Sequence, residues 1–98
     1  MERKIVWNKR PSKALNQALK RISEDSYTQA ENVERAILEK LARAQNNPEQ
    51  FPPDKFKEVN SGQFRAFETH SYRLVYRFDE KEIRVLRIRH VKQEPKSY

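Results

Sequence analysis

The 98-residue sequence has no cysteine, a single glycine at Gly62, one tryptophan, and two histidines, His70 and His90. Without thiols it offers no disulfide, no cysteine nucleophile and no zinc site of the usual Cys/His type. The two histidines are separated by an expected strand pair and are too few for a metal cage, so neither a metal nor another cofactor is expected. Long apolar runs are also missing: none approaches the ~20 residues that cross a bilayer as a helix. The opening Met1-Glu2-Arg3-Lys4 leads only into Ile5-Val6-Trp7, unlike a secretory leader. These absences point to a cytoplasmic protein with no membrane partner.

Charge is abundant. Charged and hydrophobic residues each make up 36 % of the chain, and the formal charge is +7. The length suits one domain spanning residues 1–98, with room for one layer of helix on one sheet. The basic excess is concentrated late, where residues 64–98 carry nine Lys or Arg against five acids. A basic chain of this size is suited to nucleic acid or to acidic protein segments.

The run from Tyr72 to Phe78, Y-R-L-V-Y-R-F, alternates at strand period. Tyr72, Leu74, Tyr76 and Phe78 fall on one face, and Arg73, Val75 and Arg77 on the other. The next run begins with Ile83 and Val85 in phase and then shifts to Leu86, Ile88 and His90. A bulge near Val85-Leu86 restores one buried face and leaves Arg84, Arg87 and Arg89 outward. With a two-residue turn at Glu80-Lys81, that bulge pairs Leu74 with Ile88, Tyr72 with His90 and Arg73 with Arg89. Like charges directly opposite destabilise a sheet, so stacked arginines suggest an anionic partner. For the preceding strand, Phe64 to Thr69, a two-residue turn at His70-Ser71 sets Arg65 beside Tyr76. A three-residue connection sets it beside Arg77 on the cationic face and would let Phe67 stack a base, although packing is the expected role of Phe67. The second register is preferred, because burying an unpaired guanidinium is costly.

Upstream, Ile5-Val6-Trp7 reads as a short strand and Pro11-Ser12 as a helix start. Ala14, Leu15, Ala18, Leu19 and Ile22 recur at helical spacing until Glu24-Asp25. Ser26-Tyr27-Thr28-Gln29 has the form of a capping box opening a second helix to about Gln45, with Ala30, Val33, Ile37, Leu41 and Ala44 inward. Glu31 with Arg35 and Glu39 with Arg43 are spaced for weak surface pairing. Asn46-Asn47-Pro48 stops the helix, and Phe51 is expected to pack over a sheet edge or helix end. A short strand is expected over Phe56 to Val59, followed by a turn that uses Gly62 for positive φ. The principal order is β-α-α-β-β-β, an α+β domain with a helical hairpin on one face of a largely antiparallel sheet.

The whole chain resembles toxins of the RelE/ParE superfamily from bacterial type II toxin–antitoxin modules. The resemblance runs from I-V-W-N-K-R-P-S-K-A-L through the helical hairpin and Pro52-Pro53, and is most specific in Tyr72-Arg73-Leu74-Val75-Tyr76 with Ile88-Arg89-His90. It implies a small αβ toxin neutralised by a cognate antitoxin protein, and one of two targets. ParE-like members poison DNA gyrase, and the tight helical hairpin and the I-x-V-L-x-I-x-H strand resemble that branch more closely. RelE-like and YoeB-like members cleave mRNA on the ribosome without a metal.

Metal-free RNA cleavage needs a base for the 2′-OH, cations for the phosphorane oxygens and an acid for the leaving oxygen. Arg73, Arg89 and Arg65 are the candidate cations. His90 is the candidate acid or base, since imidazole ordinarily titrates near ~6.5, and Glu68 is the nearest carboxylate. Asp54 to Glu58 corresponds roughly to the segment that carries the YoeB-like carboxylate, with Lys55, Lys57 and Tyr98 as loose counterparts of the RelE-like set. A structural role for His90 is an equal alternative. So is a frayed terminus for the tail holding Lys92, Lys96 and Tyr98, against a tail lying over the site. If the target is gyrase, Arg65, Arg73, Arg77, Arg87, Arg89 and Lys92 are expected to bind it rather than to catalyse. A non-enzymatic nucleic-acid-binding module, with affinity falling steeply in salt, is the reading from another class.

Overall fold

A computed structural model describes residues 2–98. Strand β1 (Lys4–Trp7) leads into helix α1 (Lys9–Asp25) and helix α2 (Tyr27–Asn46), followed by strands β2 (Phe64–Thr69), β3 (Tyr72–Phe78) and β4 (Glu82–His90). The sheet has the order β1-β4-β3-β2. Only the β1–β4 pairing is parallel; β2–β3 and β3–β4 are antiparallel. This is the expected α+β architecture.

Helix α1 starts directly after Asn8, and its first bond runs from the Ser12 amide to the Asn8 carbonyl. Pro11 therefore sits in the first turn, where its missing N–H costs no helical bond. Between the helices Ser26 serves both ends: its amide bonds the Ile22 carbonyl to close α1, and its hydroxyl accepts from the Gln29 amide to open α2. The expected capping box is half formed, because the Ser26 amide that Gln29 would satisfy already ends the preceding helix. The expected Glu–Arg pairs on α2 do not close either. Among the described residues the ion pairs are Arg73–Asp54, Arg73–Glu68 and Arg84–Glu82.

The inward stripe of α2, Val33, Ile37, Leu41 and Ala44, packs with Leu15 of α1 onto Leu74, Tyr76, Ile83 and Val85. Phe51 closes this core beside Phe67, with ring centroids 5.0 Å apart. Tyr76 is fully buried, and its hydroxyl donates to the Pro48 carbonyl at 2.6 Å. That bond satisfies the one polar atom which burial of a tyrosine leaves at risk.

The β3–β4 register matches the pattern read from sequence: Tyr72 faces His90, Arg73 faces Arg89, Leu74 faces Ile88, and the shift leaves Leu86 as the extra residue. The turn is Glu80-Lys81, held by Asp79, whose carboxylate accepts from the Lys81 and Glu82 amides. Two expectations are corrected. The β2–β3 turn has two residues, His70 and Ser71, at φ 49° and 68°, so Arg65 pairs with Tyr76 and not with Arg77. The cost assigned to this register assumed a guanidinium without partners. In fact Arg65 bonds the carbonyls of Gly62 and Phe51 at 2.7 and 3.0 Å. In the same register Phe67 joins the core rather than an exposed stacking platform.

Phe56 to Val59, expected as a strand, instead forms turns and bends. The segment that does pair with β2 lies just upstream: Pro53 bridges Arg65, the Asp54 amide bonds the Phe64 carbonyl, and the Ala66 amide bonds the Pro52 carbonyl. Prolines suit such an outer position because they have no N–H to leave unpaired at an edge.

Candidate functional site: an arginine face built on a buried carboxylate

The sheet face opposite the core carries Arg73, Arg77, Arg84, Arg87 and Arg89, as the alternation demands. Arg73 is the best anchored. Although arginine is rarely buried unless paired, it is only 8 % exposed, and Asp54, the carboxylate it meets at 2.6 Å, is 2 % exposed. On its other flank Arg73 Nη1 donates to Glu68 at 3.0 Å. Its Nε is the one buried side-chain polar atom without a partner among the described residues.

Asp54 is held by more than the arginine. One carboxylate oxygen accepts from Arg73 and from the Phe56 amide, and the other accepts from the Tyr98 hydroxyl at 2.7 Å. Burial alone would raise its pKa, but the bonds from Tyr98, Arg73 and Phe56 outweigh it and hold the carboxyl below its ordinary value. The same site pushes the Tyr98 hydroxyl upward, through burial and through the neighbouring carboxylate, so it remains a proton donor to Asp54.

Tyr98 is docked by backbone and side chain together. Its amide bonds the Phe56 carbonyl at 3.0 Å, and its carbonyl accepts from the Glu58 amide at 2.7 Å. The Arg87 guanidinium lies 4.0 Å from the Tyr98 ring centroid, a cation–π contact. The tail therefore lies across the arginine face and is not frayed. Phe56 plays a related part from below, with Arg73 and Arg89 at 5.1 and 5.4 Å from its centroid. That shared ring, together with Asp54 and Glu68, explains how Arg73 and Arg89 tolerate standing opposite one another.

The proposed catalytic residues do not all converge. Arg73, Arg89 and Glu68 share this face. His90 pairs with Tyr72 and so belongs to the helix-facing side, where its ring meets Tyr72 edge-on at 5.3 Å. Its Nδ1 accepts from the Lys92 amide at 3.1 Å, the type of backbone bond that holds a structural histidine. Arg65 lies off the face altogether, and Arg84 is occupied by Glu82 and Asn8. Arg77 and Arg87 remain on it, and Lys92 is exposed at the end of β4. Asp54 and Tyr98, which the resemblance reached without a matching local motif, meet on this face, whereas nothing in the sequence marks Phe56.

A helical hairpin on a mixed four-stranded sheet, with a basic outer face organised by one buried ion pair, defines a small α+β domain. The family model described as the ParE toxin of type II toxin–antitoxin system, parDE, matches residues 5–95, and the chain belongs to this family. No curated protein matches it. Membership makes the protein a toxin whose partner is an antitoxin.

Proposed function

We propose that this protein inhibits growth by a ParE-like action on DNA gyrase in the bacterial cytoplasm, with the outer arginine face as its contact surface. The observation that carries this reading is that His90 pairs with Tyr72 on the helix-facing side of the sheet, whereas Arg73 and Arg89 pair with one another on the outer face. A ribonuclease of this fold would need its acid or base and its phosphate-binding cations around one scissile bond. Here the imidazole faces α1 and bonds backbone. The most buried cation, Arg73, is already neutralised by Asp54 and Glu68, which suits a scaffold for Arg77, Arg87 and Arg89 better than a transition-state ligand.

The antitoxin would cover this face with an acidic segment and anchor apolar side chains on the hairpin, where Tyr27 and Leu38 of α2 are exposed. The test is induced expression followed by parallel mapping of gyrase-linked DNA breaks and mRNA 5′ ends. Gyrase-linked breaks with intact mRNA are expected. Cuts phased to ribosomal codons would replace this reading with the endoribonuclease one, in which Glu68 and Arg89 act from the same face.

A further inference from the structure

Between the start of α1, the second half of β4 and the returning segment Gln93–Lys96 lies a cavity of about 510 Å³. Nucleotide-sized ligands occupy pockets of ~300–1,000 Å³. Two kinds of wall meet in it. Arg10, Arg87, Arg89 and Lys96 supply cations, while Pro11, Ala14, Val75, Leu86 and Ile88 supply an apolar floor. Of the two carboxylates at its border, Asp54 is neutralised by Arg73, leaving Glu94 against four cations.

The donors are largely unspent. Each guanidinium carries five N–H groups. Arg87 uses Nη1 on the Lys96 carbonyl at 3.3 Å, and Arg89 uses Nη1 on the Gln93 and His90 carbonyls at 3.0 and 3.3 Å. Arg73, whose Nε lacks a partner, borders the same space. The bulge in β4 contributes directly. Strand β1 pairs only with Glu82–Val85, so past that point β4 has no strand on its outer edge, and the extra residue Leu86 turns to the cavity instead of the core. Bulges commonly re-aim side chains in this way beside binding sites.

We propose that this cavity is a binding site for a nucleoside phosphate, with the phosphate oxygens on Arg87, Arg89 and Arg10 and the nucleoside against Leu86, Ile88 and Ala14. Guanidinium groups match phosphate oxygens in bidentate fashion, and the apolar floor offers nothing to a bare anion. The site shares Arg87 and Arg89 with the face proposed to contact gyrase, but a titration without gyrase tests the two separately.

The experiment is a titration of the purified full chain, followed by NMR of backbone amides and methyl groups, with ADP and with inorganic pyrophosphate as separate probes. Saturable ADP shifts at the Leu86 and Ile88 methyls are expected, with affinity about tenfold weaker in Arg89→Gln, the loss of one charge-assisted bond. Arg10→Gln, at an exposed residue whose side chain bonds none of the described residues, should weaken binding in the same direction. Arg35→Gln on α2, which removes equal charge elsewhere, should not. Pyrophosphate binding as tightly as ADP would overturn the nucleoside assignment. Equal affinity in all three variants, or no saturable shift at these methyls, would overturn the site.

Discussion

Asp54 and Arg73 meet at 2.6 Å although 19 residues separate them in sequence, and the contact joins the proline loop to the central strand of the arginine face. Removing one partner strands the other charge in a nearly dry site, which typically costs about 3–5 kcal/mol. Asp54→Ala and Arg73→Ala should therefore each lower stability by that order in urea unfolding. The double variant should be less destabilised than the sum of the two. Additive losses would mean that the pair is not coupled.

Acid should act through the same carboxyl. Burial raises the pKa of Asp54, but the bonds from Tyr98 and Arg73 more than reverse this, so the folded value lies below the ordinary ~3.9. Its stabilising contribution is then full above that ordinary value and is lost as pH falls through the lower, folded one. Unfolding free energy should decline below about pH 4, and Asp54→Asn should flatten that decline while lowering stability at pH 7. Asp79, held down by the Lys81 and Glu82 amides, titrates in the same direction and leaves a residual slope in the variant.

Tyr98 provides a separate handle on the tail. Tyr98→Phe keeps the ring under Arg87 and removes only the bond to Asp54. A hydrogen bond to a charged group is worth about 1.5–3 kcal/mol, and a loss in that range is expected from thermal melts. Hydrogen exchange at the Tyr98 and Glu58 amides should accelerate by more than the global change, because both close the tail onto residues 56–58.

The His70-Ser71 turn stores strain that is simple to remove. Both residues have positive φ, the requirement of the tight hairpin turn that favours Asn-Gly. The double substitution His70→Asn with Ser71→Gly should stabilise the protein by about 1 kcal/mol, raising Tm by ~4–8 °C. A fall in Tm would show that the His70 or Ser71 side chain contributes more than its backbone costs.

What was legible in the sequence follows from how strongly each feature is constrained. Alternation over β3 and β4 leaves one register that buries Leu74, Tyr76, Ile83 and Val85 together, so the bulge at Leu86 and the Arg73–Arg89 pairing could be read in advance. The placement of Arg65 could not, because it turned on whether backbone carbonyls from Phe51 and Gly62 would be within reach. Asp54 left no trace in local pattern and was reached only as the first residue of the segment that the resemblance aligned with a carboxylate, since its role exists only once the proline loop folds back along β2. The apolar and charged residues of Phe56 to Val59 imitate a strand, yet Asp54 and Tyr98 draw that segment into turns. For His90, strand parity assigned the face correctly, but the chemistry of imidazole grouped it with Arg73 and Arg89, which that same parity sets on the other face.

The most direct test of the account uses purified gyrase, relaxed plasmid and the purified toxin, scoring covalent gyrase–DNA complexes alongside mRNA integrity on translating ribosomes. Covalent complexes are expected with wild type and His90→Ala alike, with their loss in the Arg87→Ala, Arg89→Ala double variant and uncut mRNA throughout. Ribosome-dependent mRNA cleavage that vanishes in His90→Ala, with no gyrase-linked breaks, would contradict the gyrase reading.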